Sequence, residues 1–196
     1  ALGTGALRSL GASPGVVMAV AAGLAALAAL AAFETDGHID GLRAPPEGTS
    51  ASLGLIPVIG GAIVLIAFMS ENAAESWSAL HIEKTLQGSA ALGSAGPAVL
   101  ALTMGTARVF GHGLSAKISP LRLLLIGAAI SACGALVVAL AASPFLAYAG
   151  FIVMGIGSSV IAPTAFTLVG TMAAPEARAR AVAHATMLGY AGYFIG

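Results

Sequence analysis

Six apolar stretches limit what this chain can fold into more than any other feature. They cover residues 15–33, 53–70, 89–107, 123–142, 145–172 and 181–196. Because about 20 helical residues cross the hydrocarbon core of a bilayer, most of these stretches are long enough to span it. They lack the alternation of polar and apolar residues that is typical of membrane-barrel strands, so we predict that they are helices.

The composition is typical of a chain whose outer surface faces lipid. Of its residues, 58% are hydrophobic and only 8% are charged, whereas about a quarter of the residues of a soluble domain are charged. The formal net charge is +0, and no basic cluster indicates a nucleic-acid partner. We predict an all-α integral membrane protein, a polytopic helical bundle that has the lipid bilayer as its partner.

The two ends of the sequence favour a piece of a longer protein. The sequence begins without Met, and the sixth stretch stops at Gly196 after about 16 residues, fewer than a span needs. The first stretch follows a segment whose one charge is Arg8, and its apolar core is too long for a secretory signal. We therefore expect missing helices of the same full-length chain to be partners of these helices.

Basic residues concentrate on one side of the predicted helices. Since Lys and Arg accumulate in cytoplasmic loops, the first, third and fifth stretches should run inward, and the second and fourth outward. The residues on the cytoplasmic side are Arg43, Arg108, Lys117, Arg122, Arg178 and Arg180, against Arg8 and Lys84 on the opposite side.

The longest polar segment, ETDGHIDGLRAPPEGTSAS at residues 34–52, has the Pro, Gly and mixed charge of a flexible linker. Asp36, His38 and Asp40 alternate within it, a pattern that metal sites also show. Three ligands on a flexible loop, with no fourth partner nearby, are weak evidence for such a site. We interpret the segment as a solvated linker without a metal ion.

Two carboxylates and an amide follow the second apolar stretch, in the segment SENAAESWSAL at residues 70–80. If the helix continues, Glu71 and Glu75 are four residues apart and share a face, with Asn72 beside it. Counted from residue 53, a helix crosses roughly 30 Å near Asn72, which puts Glu71 at the membrane boundary and Glu75 outside it. Glu71 then faces either a cavity inside the bundle or the solvated rim.

Three segments are similar to the major facilitator superfamily of transporters, and most similar to its bacterial YbjJ-type members, relatives of the fucose permease. ENAAESWSAL (71–80) resembles the acidic outer end of the seventh helix. ARVFGHGLSAKISPLR (107–122) resembles the second copy of the family's cytoplasmic signature, between helices eight and nine. GIGSSVIAPTAF (155–166) and the sequence after it resemble the tenth helix and the start of the eleventh.

The resemblance implies a partial fold of that superfamily. Residues 1–33 would hold the last helix of the N-terminal half, and residues 34–52 the cytoplasmic linker between the two halves. Residues 53–196 would be the C-terminal half, with helices seven to eleven and an incomplete end.

The resemblance also implies a cytoplasmic gate loop that contains Arg108, Gly111, His112 and Lys117. In the family signature an acid helps to lock the gate by caging helix ends and pairing with Arg. Arg108 and Gly111 match that signature, but His112 and Gly113 stand where the acid and a second basic residue are expected. A fixed negative charge is therefore missing there, and Arg108 and Lys117 can instead hold the loop at the lipid headgroups.

A secondary transporter of a small solute that works by alternating access is the function that the resemblance implies. A proton-coupled carrier, such as a symporter, needs a carboxyl group that holds a proton in one state and loses it in another. Our substrate and proton-coupling candidates are Glu71, Asn72, Glu75 and Tyr190. Tyr190, with Tyr193 three residues later, is either a sugar-binding group or a packing residue. The solute is a sugar-like or other polar metabolite, or a drug for efflux, and the proton gradient replaces any cofactor.

A membrane scaffold or partner subunit without transport is the alternative, since small-residue helices and a missing gate acid are enough for it. An enzyme is not expected, because the sequence has no metal-binding pair at helical spacing, no nucleophile elbow and no phosphate-binding loop with Lys. We expect a multi-pass protein of the inner (plasma) membrane.

Overall fold

The computed structural model describes residues 54–115 and 118–196, and of residues 111–115 it describes the backbone only. These residues belong to one unit of the chain, Ser50–Gly196. The predicted first helix at residues 15–33, the linker at residues 34–52 and Lys117 lie outside the described residues.

The described residues form helices joined by loops and turns, with no strand among them, which confirms the all-α prediction. A π-helical turn, His81–Thr85, continues the first helix, and a 3-10 turn, Pro175–Ala177, precedes the fifth. The helices are α1 (Ile56–Leu80), α2 (Ala90–Ser115), α3 (Pro120–Ala139), α4 (Pro144–Met172), α5 (Arg178–Tyr190) and α6 (Gly192–Ile195).

Within the described part of the chain, four helical segments are long and apolar enough to cross a membrane. They are Ile56–Thr85, Ala90–Phe110, Pro120–Ala139 and Pro144–Met172. They correspond to the second to fifth apolar stretches of the sequence. The helix continues past the apolar stretch, which ends at residue 70, because α1 ends at Leu80. Two of the polar residues after residue 70, Glu71 and Asn72, have partners on other helices.

Proline and serine set several helix ends. Pro57, Pro120 and Pro144 lie in the first turns of α1, α3 and α4, where the missing backbone N–H has no partner to lose. The Leu146 N–H donates to Oγ of Ser143 at 3.3 Å and so caps α4. Only residues 140–143 separate α3 from α4, and the two helices pack against each other in antiparallel order.

The longest described helix, α4, packs against α1, α2, α3 and α5. It approaches α3 closely at Gly157, where an added Cβ would lie 2.8 Å from Cα of Ser131. The Oγ atoms of Ser131 and Ser158 are 2.8 Å apart and form a hydrogen bond between the two helices. Small residues and an interhelical hydroxyl bond are the usual means by which membrane helices associate closely.

Buried apolar side chains form clusters along α1 and α4, while the outer faces carry exposed large apolar residues, as lipid contact requires. One cluster contains Val64, Ala67, Phe68, Leu124, Ile161, Ala162 and Ala165. A second contains Ile82, Leu100, Met104, Ala147, Phe151 and Met154. The exposed set includes Val58, Ile59, Leu125, Leu136 and Phe145.

The last two helices, α5 and α6, lie against α1. A Cβ on Gly192 would lie 3.0 Å from the backbone N of Met69, so a glycine at this position permits the close approach of α6. This contact brings the next residue, Tyr193, to the face of α1 that carries Glu71.

Candidate functional site

Glu71 is a buried carboxylate that follows the apolar part of a long helical segment. Only 6% of its surface is exposed, and the candidate span around it runs from Ile56 to Thr85. At 1.5 Å per residue, Glu71 lies about 22 Å along the helix from Ile56 and about as far from Thr85. It therefore lies near the middle of the segment, and its carboxylate faces other helices.

The two carboxylate oxygens of Glu71 have different partners on different helices. The Tyr193 hydroxyl on α6 donates to Oε2 at 3.1 Å. Nη2 of Arg108 on α2 lies 3.5 Å from Oε1 and forms an ion pair with it. Oε1 receives no hydrogen bond from any residue that the structure describes. The Arg108 contact is therefore electrostatic and lacks hydrogen-bond geometry, so the pair is looser than a bidentate one.

Asn72, the next residue of α1, binds the main chain of Tyr193. Its Nδ2 donates to the backbone carbonyl of Tyr193 at 3.1 Å. Two consecutive residues of α1, Glu71 and Asn72, thus bind the side chain and the main chain of Tyr193. The position of α6 on α1 depends on both contacts.

Three aromatic rings surround this position. The Tyr193 ring stacks on Phe68 with centroids 4.7 Å apart, and the Tyr190 ring lies 5.4 Å from Phe68 and 6.0 Å from Tyr193. Phe68 is buried, while 54% of the Tyr190 surface is exposed. The rings supply an apolar surface next to a charged pair, with Tyr190 as its accessible edge.

The two acids that the sequence placed on one face differ in exposure, although the charge of Glu75 still acts on Glu71 and Tyr193. Glu71 is buried, and Glu75, one turn later on α1, is exposed. Trp77 is exposed as well. The candidate site therefore contains Glu71, Asn72 and Tyr193, with Tyr190 beside them, and Glu75 lies outside this cluster.

The predicted gate residues lie partly on a helix. Since α2 continues to Ser115, Arg108, Gly111 and His112 belong to the helix, and their predicted placement in a loop is wrong. The polar residues after Ala107 predicted a loop, but the side chain of one of them, Arg108, forms an ion pair with Glu71 on α1. No sequence pattern paired these two residues. An Arg inside an apolar segment is the signal that points to a buried acid as its partner.

A cleft of about 370 Å³ lies between α1, α3 and α4, away from Glu71. Its lining is mostly apolar and includes Phe151 and Met154. His81, at the start of the π-helical turn, borders it and places Nε2 3.2 Å from the Val138 carbonyl oxygen. Because polar groups are few in it, the cleft is a poorer solute site than the Glu71 cluster.

Metal binding finds no support in the residues that are described: none of them form a group of three or more His, Cys, Asp or Glu side chains near one another. The alternating Asp36, His38 and Asp40 lie outside these residues.

Comparison with known proteins identifies the family. The model of the Major Facilitator Superfamily matches residues 2–196. An uncharacterized MFS-type transporter of Yersinia pestis is 32% identical over 137 residues, which are 69% of this chain and 35% of that protein. The chain thus spans about a third of that relative's length, and no solved structure matches it. Because the family model covers nearly the whole chain and the described helices include four candidate spans, the chain belongs to the major facilitator superfamily.

Proposed function

We propose that this chain forms part of a proton-coupled secondary carrier of a small polar solute, with Glu71 as the group that takes up and releases the proton. Membership of the superfamily supports transport by alternating access, in which helical halves move around a site near the midplane. One observation carries the choice of Glu71: it is a buried carboxylate within a helical segment that is long enough to cross a membrane.

A charge in such a place requires compensation. An ionised side chain within a membrane helix is costly, by up to about 2.5–3.5 kcal/mol at the helix centre on insertion scales. Arg108 offsets that charge from α2, and the Tyr193 hydroxyl solvates it from α6. Together these contacts join α1, α2 and α6 through a single carboxylate.

Protonation changes those contacts in a selective way. A neutral Glu71 loses the charge attraction that holds the Arg108 guanidinium, whereas the Tyr193 hydroxyl can still donate to its carbonyl oxygen. The link between α1 and α2 weakens while the link between α1 and α6 persists. A ligand or proton shifts a conformational equilibrium only through such a difference in contacts between the two states. The proton therefore favours a state in which α2 is free to move relative to α1.

The finer features of the proposal come from the sequence. Similarity to YbjJ-type and fucose-permease-related members supports a polar solute, symport and an inner (plasma) membrane location. Under the same proposal Arg108 acts as a gate residue by its contact between helices.

Transport into proteoliposomes tests the proposal, with the protein at its native length and a panel of radiolabelled monosaccharides and sugar acids. Three proteins are compared: wild type, Glu71→Gln, and Glu75→Gln as a matched control on the same helix. With an inward proton gradient, we expect at least one solute to accumulate in wild type and in Glu75→Gln. Glu71→Gln should exchange that solute across the membrane without accumulating it.

Two results would contradict the proposal. Accumulation by Glu71→Gln at the wild-type level would remove Glu71 from proton coupling. No movement of any solute in the wild type, with correctly inserted protein, would favour the non-transporting scaffold.

A further inference from the structure

Glu71 and Arg108 differ in how much of each side chain is exposed, and this difference bears on which solute can bind. Only 7% of the Glu71 side chain is exposed, whereas 49% of the Arg108 side chain is. The guanidinium group has five N–H donors in a fixed plane, and its one contact with Oε1 of Glu71, at 3.5 Å, is not a hydrogen bond. Arg108 is therefore paired with Glu71 but still presents donors to the space beside it.

The position of Arg108 makes its charge a constraint on the transport cycle. It lies two residues before the end of the candidate span Ala90–Phe110, and its side chain reaches the buried Glu71 carboxylate on α1. When Glu71 takes up a proton, the cationic guanidinium loses its counter-charge, which is unfavourable within a membrane span. A neutral solute leaves that cation unpaired. A carboxylate restores the charge balance and matches the planar guanidinium with two parallel hydrogen bonds.

We propose that Arg108 is the recognition residue for a small monocarboxylate solute, which replaces Glu71 as its partner while Glu71 binds one proton. This inference rests on the proposed function and narrows its substrate class. The proton comes from the aqueous phase, the carboxylate oxygens accept the Arg108 N–H groups, and no covalent bond changes. The net charge of the site is the same before and after binding, because one proton enters with one anion.

The groups around Glu71 fit this exchange. Tyr193 faces it from α6 and donates to Oε2, and this hydroxyl can bond the carboxyl group in either protonation state. Arg108 faces it from α2, and Glu75 lies one turn further along α1. The half-exposed Tyr190 ring, beside Phe68 and Tyr193, offers an aromatic surface to the uncharged part of the solute.

Thermodynamic linkage gives the inference a measurable signature. If one proton binds with each anion, the dissociation constant of the carboxylate rises tenfold per pH unit wherever Glu71 is ionised in the free protein. Glu71→Gln has no charge to displace and no proton to take up. Its dissociation constant should therefore not depend on pH and should equal, or fall below, the wild-type value at low pH. A residue with a merely structural role would not change this slope.

The test uses the purified protein at its native length and matched pairs of probes that differ in the carboxylate. The pairs are gluconate with sorbitol, lactate with propanediol, and benzoate with benzyl alcohol. Such acids ionise at or below about pH 4, so between about pH 6 and pH 8 their own charge is constant. Binding is measured by thermal stabilisation and calorimetry for wild type, Glu71→Gln and Arg108→Gln, with Arg122→Gln as the control. Arg122 is exposed at the start of α3.

We expect at least one acid to bind and its uncharged counterpart not to bind. Arg108→Gln should lose that binding at least tenfold, Arg122→Gln should keep it, and only Glu71→Gln should lose the pH slope. Binding of the uncharged counterparts alone, binding of no acid, or an unchanged pH slope in Glu71→Gln would overturn the inference. Proton-driven uptake of a neutral solute would leave the proposed carrier standing without this inference. Carboxylate binding without proton-driven uptake would support recognition by Arg108 and contradict the proposed proton-coupled carrier.

Discussion

Replacing Gly134 with Ala should loosen the packing of α3 on α4. A Cβ at Gly134 would lie 2.6 Å from Cα of Met154 and 2.7 Å from the carbonyl oxygen of Gly150. Both atoms belong to the α4 backbone, so no change of side-chain rotamer relieves the contact. Non-bonded carbon atoms prefer separations of about 3.5–4.0 Å, which requires the two helices to move apart locally by about 1 Å.

The size of the effect follows from two opposing contributions. Overpacking in a close-packed interior costs about 1–3 kcal/mol, and a backbone contact belongs near the upper end of that range. Replacing Gly with Ala inside a helix contributes about 1 kcal/mol of stability. We therefore expect Gly134→Ala to lower the free energy of unfolding by about 2 kcal/mol.

A matched control lies on α2. A Cβ at Gly105 would meet nothing within 4 Å, so Gly105→Ala has the same helix contribution without the clash. The free energy of unfolding is measured for both variants by titration with a denaturing detergent, followed by circular dichroism. Gly105→Ala should be as stable as wild type or more stable. Equal stability of Gly134→Ala and wild type would refute the close approach of α3 and α4 in the structure.

Two further predictions concern the same helices and their orientation. Oγ of Ser131 and Oγ of Ser158 form a hydrogen bond at 2.8 Å, and a double-mutant cycle with Ala should give a coupling free energy of about 0.6 kcal/mol; zero coupling would exclude the bond. In a Cys133→Ser background, a Cys at position 87 should react with an impermeant maleimide from outside the cell, and a Cys at position 176 only from the cytoplasm. The reverse pattern would contradict the orientation predicted from Lys and Arg.

The helices were predictable because lipid imposes one demand on every residue of a span. The second to fifth apolar stretches of the sequence correspond to the four candidate spans of the described residues, since a backbone in hydrocarbon must satisfy its hydrogen bonds within the helix. Pro120 and Pro144 lie in the first turns of α3 and α4. Such local signals need no knowledge of the other helices.

The end of α1 was not predictable by the same rule. Counting about 30 Å from residue 53 puts the edge of the hydrocarbon core near Asn72 and leaves Glu71 facing either the bundle or the solvated rim. In the structure Glu71 and Asn72 contact residues of α2 and α6. A polar residue ends a membrane helix only when water is its best partner, and that depends on what the other helices offer.

The composition of the site was predictable only in part. Glu71, Asn72 and Tyr190 were candidates from the sequence, but the hydroxyl that reaches Glu71 belongs to Tyr193. Tyr193 and Glu71 are 122 positions apart in the chain, and the approach of α6 to α1 depends on Gly192. No periodicity within a single helix contains that information.

The departure from the family signature and the position of Arg108 are best understood together. The resemblance implies an acid at position 112 that pairs with Arg, and this chain has His there. An acid one turn after Arg108 on α2 would compete with Glu71 for the guanidinium group, because residues four apart on a helix face each other. Without that fixed negative charge, the acid that the structure pairs with Arg108 is Glu71. An acid at position 112 would pair with Arg108 permanently. The partner of Arg108 is instead the Glu71 carboxylate, which loses its charge when it binds a proton. Under the proposed function the missing acid is therefore compatible with gating, because it would make the contact between α1 and α2 sensitive to the proton.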